Sequence, residues 1–263
     1  MSSWIYQVDA FTTQPFKGNP AGVMILEKEK DAVWMQALAS EMNLSETAFV
    51  LPQAEGFGLR WFTPAVEVEL CGHATLASAH ILWEQGFLPP EEVAVFHTAS
   101  GELKARKAGE WIELDFPAYP IGPSHHHQET SAALGQPIQA LVESGGNLLA
   151  ELATQIQVQN LMPDFSAITK LPFQGVIVTS LSDEKGVDFV SRYFAPRVGI
   201  DEDPVTGSAH SSLGPYWAQK LDKNELHAFQ VSSRRGELEV RVTPQRVFIL
   251  GQAVTVFKAQ LVV

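Results

Sequence analysis

Two stretches of the chain repeat one another, and this limits the possible folds more than any other feature. FTPAVEVELCGHATLASAHILW, beginning at Phe62, is matched by FAPRVGIDEDPVTGSAHSSLGPYW, beginning at Phe194; TASGELKAR around Gly101 is matched by SSRRGELEVR around Gly236. The separations are 132 residues for the phenylalanines and 135 for the glycines. Two matches in the same order at nearly equal spacing argue for a duplicated domain. The stretch PAYPIGPSHHHQ, rich in Pro, Gly and polar residues, is the candidate linker. We therefore expect half-domains over residues 1–118 and 119–263, with the closing strand AVTVFKAQLVV able to return to the first.

Local patterns fill in the halves. WIYQVDAF, AGVMIL, TAFVLP and LRWFTP read as strands, as do VAVFHTAS, ELKARK, WIELDFP, GVIVTSL and the closing segments. DAVWMQALASEMN is helical, with Val33, Ala37 and Leu38 at the spacing of one face. HATLASAHILWEQG is a helix expected to stop near Gly86 through a left-handed cap. A second helix follows Gly207, and Pro215 is either tolerated in it or kinks it. Both helices carry small residues on several faces (Ala74, Ala77, Ser78 and Ala79; Ala209, Ser211, Ser212 and Gly214), which suits a helix threaded through a curled sheet. The expected class is mixed α/β.

Composition excludes several functions. Against 18 Lys and Arg stand 30 Asp and Glu, a net charge of −12 with no basic stripe, so nucleic acid is a poor partner. No apolar run reaches the roughly 20 residues of a membrane span, and MSSWIYQVDAF lacks the regions of a signal peptide, so no membrane partner is expected and a cytoplasmic location is. One cysteine, Cys71, rules out an intramolecular disulfide and any zinc-type cysteine spacing.

The two helices begin alike, with a glycine turn followed by His73 or Ser208. Helix starts carry N–H groups without intrahelical acceptors and about half a positive charge, so two such ends could hold a carboxylate. The alternative is that Gly72 and Gly207 only make tight turns and that His73 and Ser208 are caps. Glu46, in SETAF, is an acid immediately before the apolar Ala48–Val50 run. It is either a solvated carboxylate at a junction or a buried acid whose pKa burial could tune from about 4.3 toward 6 to 7.

VDAFTTQPFKGNPAGV, NLSETAFV, FTPAVEVELCGHAT and FAPRVGIDEDPVTGSAH, in this order, resemble the PhzF-like family, relatives of the phenazine-biosynthesis isomerase within the diaminopimelate-epimerase-like fold. The resemblance covers nearly the whole chain. It implies two pseudo-symmetric half-domains, each a curled, barrel-like β-sheet around a central helix, with the active site between them and frequent homodimers. It also implies cofactor-free and metal-free proton transfer on a small carboxylate substrate. Carried over, the catalytic glutamate is Glu46, the glycine-histidine turn is Gly72 and His73, and the second acid is Asp203; Gly207 and Ser208 match the substrate-binding turn. His73, with an ordinary pKa near 6.5, could donate or accept a proton.

A rival within the same fold is a two-thiol epimerase. Cys71 stands where the first thiol would be, but aligning the repeat sets CGH over TGS and puts Thr206 in place of the second. A non-catalytic anion-binding protein is the other alternative. Asp201 and Glu202 are expected to be solvated loop acids. The run His125, His126 and His127 is expected to be flexible linker, since consecutive imidazoles do not converge on a metal.

Overall fold

The structure, a computed structural model, describes residues 3–262. The chain forms two compact units: one runs to Asp115 and resumes at Leu250, and the other spans Phe116–Ile249. The class is mixed α/β, with curled sheets and few helices.

In the first unit Ser3–Ala10 pairs antiparallel with the closing strand Ala253–Leu261 and with Asn19–Ile25. Asn19–Ile25 runs parallel to Glu46–Pro52, which is antiparallel to Phe57–Phe62. Phe57–Phe62 is parallel to Ala94–Thr98, and Gly101–Ala108 and Trp111–Pro117 follow antiparallel. The helix Gly72–Glu84 packs against Ala253–Leu261, Ser3–Ala10, Asn19–Ile25, Glu46–Pro52 and Gly101–Ala108. Contact with strands so far apart in the ladder means that the sheet curls round the helix. All its residues except His80 and Glu84 are buried, as a helix with no solvent face requires. It stops where Gly86, at φ +73°, takes the left-handed conformation. There Phe87 N–H bonds Leu82 C=O at 2.9 Å and Gly86 N–H bonds Trp83 C=O at 3.3 Å, closing a Schellman motif.

The second unit repeats this order. Ala140–Ser144 is antiparallel to Asn147–Glu151, which is parallel to Val176–Leu181; Phe189–Ala195 follows antiparallel. Phe189–Ala195 is parallel to Glu225–Gln230, which is antiparallel to Gly236–Val242. The helix Gly207–Leu221 packs on the last two of these. A Cβ on Gly214 would lie 3.0 to 3.3 Å from side-chain atoms of Val240, Val242 and Val247, so the close approach depends on the missing side chain. Pro215 lies in the helix interior and has no N–H to offer the Ser211 carbonyl one turn back. The Tyr119 N–H fills that role at 3.0 Å, and the helix continues.

Several expectations need correction. The helix Ala32–Met42, capped by Asp31, buries Met35 and Ala39, while Val33 is 81% exposed: the core-facing stripe is offset from the residues that the spacing picked out. PAYPIGPSHHHQ is not a free linker. Gly122–Pro123 pairs with Glu143 and Val142, His126 packs edge-on against Phe173, and His127 opens the helix His127–Leu134. Four strands of four or more residues, Ala140–Ser144, Asn147–Glu151, Phe189–Ala195 and Ile200–Asp203, have no counterpart among the sequence patterns.

Candidate active site

In the first unit three polar side chains meet where two parallel strands and the central helix begin. Asn19 opens Asn19–Ile25, Glu46 opens Glu46–Pro52 opposite Ala21, and His73 is the second residue of Gly72–Glu84. All three are buried. His73 Nε2 lies 3.2 Å from Glu46 Oε2. On the other edge of the ring Nδ1 lies 3.1 Å from Asn19 Nδ2 and 3.4 Å from Cys71 Sγ. Glu46 is therefore not the solvated junction acid of the alternative reading. Burial lowers the His73 pKa to about 3, so the ring is neutral where an ordinary histidine would begin to charge.

Glu46, Cys71 and His73 offer metal-type donor atoms within 4.8 Å of one another. The thiol meets Nδ1 and the carboxylate meets Nε2, however, and the two nitrogens of one ring point apart. Those two contacts lie on opposite edges of the ring and do not converge on one ion.

The second unit builds a different device at the equivalent place. Asp203 ends the strand Ile200–Asp203 opposite Tyr193 and accepts a hydrogen bond from Thr206 Oγ1 at 2.5 Å. Buried Gln230 clasps this turn: its Oε1 accepts from Thr206 N–H at 2.8 Å, and its Nε2 donates to the Asp203 carbonyl at 2.8 Å. Burial, and then the Asp203 charge, push the Tyr193 phenol up, and its hydroxyl donates to Asn147 Oδ1 at 3.0 Å. The N-caps of the two central helices are Cys71 and Thr206, and neither side chain caps its helix. His73 and Ser208 are thus second residues of their helices, not caps, and Gly72 and Gly207 open them. The carbonyl of each N-cap is held by the residue four on: Thr75 Oγ1 donates to Cys71 C=O at 2.6 Å, and His210 Nδ1 to Thr206 C=O at 2.8 Å.

The family model described as phenazine biosynthesis-like protein, PhzC-PhzF, matches residues 8–259. The chain belongs to the PhzF-like family. An uncharacterized isomerase of Halalkalibacterium halodurans is 52% identical over 99% of each chain, and one of Pseudomonas aeruginosa is 48% identical over 97% of each. The crystal structure of a PhzF-family protein from Enterococcus faecalis superposes with a TM-score of 0.96 at 44% identity, covering 100% of both chains. The Halalkalibacterium and Pseudomonas relatives are both named uncharacterized isomerases, which supports isomerase activity at a coarse level.

For a two-thiol mechanism this PhzF-like chain has the wrong second partner, because Thr206 Oγ1 is engaged with Asp203 and Gln230. Asn19 and Gln230 were not found from sequence. Asn19 is 54 residues from His73 and Gln230 is 24 from Thr206, separations that no local pattern spans. Glu202 is not a solvated acid. It forms a two-point pair with Arg192, at 2.7 and 2.8 Å, whose Nη1 also holds the carbonyls of Val158, Gln159 and Leu161. No described helix is long and apolar enough to cross a membrane.

Proposed function

We propose that this PhzF-like protein is a cofactor-independent isomerase that moves a proton on a small carboxylate substrate, with Glu46 as the group that takes the proton and returns it. One observation supports this most: the Glu46 carboxylate is buried and touches an imidazole held neutral by burial. A cationic partner would favour the carboxylate charge and weaken it as a base; a neutral ring orients it without that penalty. Exclusion of water keeps an abstracted proton from exchanging before its return. By resemblance to the family, Gly72 of the first unit and Gly207 and Ser208 of the second are assigned to substrate binding, and Asp203 to orienting the substrate. A homodimer in the cytoplasm belongs to the same proposal, by resemblance to the family; light scattering of the purified protein tests the dimer.

The reaction is tested by incubating the protein in D2O with a panel of cyclic and acyclic amino acids and unsaturated carboxylates, and by following deuterium incorporation by mass spectrometry. Incorporation should occur with at least one member of the panel. Glu46→Gln should reduce its rate on the order of 10²–10⁴-fold while thermal unfolding is preserved. Equal rates for the variant and the parent would remove Glu46 from the chemistry. A carboxylate that binds but never exchanges would point to the anion-binding alternative.

A further inference from the structure

We infer that Asn19 is a positioning residue that fixes the tautomer of His73, keeping the ring proton on Nε2, where it faces Glu46. This deepens the reading of Glu46 as the base and rests on it for its catalytic meaning. Asn19 is fully buried and opens a strand whose Ala21 lies opposite Glu46 in the parallel ladder, so its backbone is fixed relative to the acid. Its amide nitrogen, 3.1 Å from His73 Nδ1, has only hydrogens to offer, and the ring nitrogen it meets must accept. The Cys71 thiol, 3.4 Å from the same nitrogen, is a weak donor and favours the same assignment. A neutral imidazole carries one proton, which then sits on Nε2, 3.2 Å from the Glu46 oxygen.

The opposite arrangement has a definite consequence. If the Asn19 amide were rotated to present oxygen, the proton would move to Nδ1, and the Nε2 lone pair would face the lone pairs of the carboxylate. A proton on Glu46 would relieve that 3.2 Å contact, and it would leave a spent base. The orientation of one amide therefore decides which partner holds the proton at rest. Its role resembles that of any group that sets a ring tautomer through the far nitrogen.

Two-bond ¹H–¹⁵N correlation spectra of protein labelled at its histidine rings read this directly, without turnover, with the His73 signals assigned by their loss in His73→Gln. Near neutral pH the parent should show its proton on Nε2. Asn19→Asp, which places an acceptor at Nδ1, should move the proton to Nδ1 or add a second one. Asn19→Ala should populate both tautomers. A parent with its proton on Nδ1 would overturn the assignment, even if neither variant folds. So would an unchanged Nε2–H pattern in either folded variant. The deuterium experiment can fail while these spectra come out as expected, so the two proposals fall separately.

Discussion

The two units are built to one plan and differ most at the position that carries the acid. Thr47 faces Phe62 in the first unit and Val176 faces Phe194 in the second; aligned through these phenylalanines, the partner of Glu46 is Gly175. A Cβ at Gly175 would lie 2.6 Å from the Phe194 carbonyl oxygen and 2.8 Å from the Tyr193 ring. Backbone and ring fill the space that the first unit gives to a carboxylate. The same alignment sets Asp203 against Val68, Cys71 against Thr206 and His73 against Ser208. The two units share a scaffold and furnish it differently: a buried acid beside a neutral ring in one, a clasped aspartate in the other.

The sharpest way to break this contrast is to remove each acid in turn. Glu46→Gln should cost two to four orders of magnitude in deuterium exchange, whereas Asp203→Asn, losing an orienting hydrogen bond, should cost about tenfold to a hundredfold. Equal losses would mean that the second acid shares the proton transfer. Next in size, Gly175→Ala should destabilise by about 1–3 kcal/mol through overpacking, read from the urea midpoint. A neutral outcome would show that the second unit could have accommodated a side chain there.

Acid stability tests the buried rings. Burial lowers His73 to about 3 and His210, despite the opposing bond to Thr206, to about 4. Between the ordinary histidine pKa near 6.5 and these values, the unfolded chain binds protons that the folded chain refuses. The neutral-ring packing is therefore fully in force above pH 6.5, and stability is lost as pH falls through the window. His210→Asn keeps a donor toward Thr206 C=O and removes the titration. It should flatten the pH dependence of the unfolding midpoint below pH 6.5; an unchanged slope would contradict the burial effect. The smallest effect is expected from Cys71→Ala, with exchange within about threefold of the parent, because the thiol is only a weak donor to His73 Nδ1 and the Asn19 amide still faces that nitrogen. Loss comparable to that of Glu46→Gln would revive thiol chemistry.

Much of the scaffold could be read from the chain alone, because a repeat, helical spacing and alternating strands are local signals. The two central helices, Gly86 as a stop and most strands of the first unit follow from them. No strand pattern marks Ala140–Ser144 and Asn147–Glu151, although Gly145 and Gly146, both at positive φ, form the turn that joins them. Phe189–Ala195 mixes buried and half-buried residues without alternation, which hides a strand buried on both faces. The candidate site was legible only as far as motifs reach. The resemblance supplied Glu46, His73 and Asp203. Asn19, Gln230 and the closed space at Gly175 arise from contacts between distant segments, for which no local pattern exists.

The proline in the second central helix has a consequence for how such a chain can vary. The Ser211 oxygen is left to a donor outside the helix, and the Tyr119 amide that serves it lies just past the seam of the duplication. Shortening or lengthening the chain by one residue between Pro117 and Tyr119 would pull that amide away and strand a buried acceptor, at about 1–3 kcal/mol. A junction that looks like the easiest place for an insertion is thus held to a fixed length by one missing hydrogen.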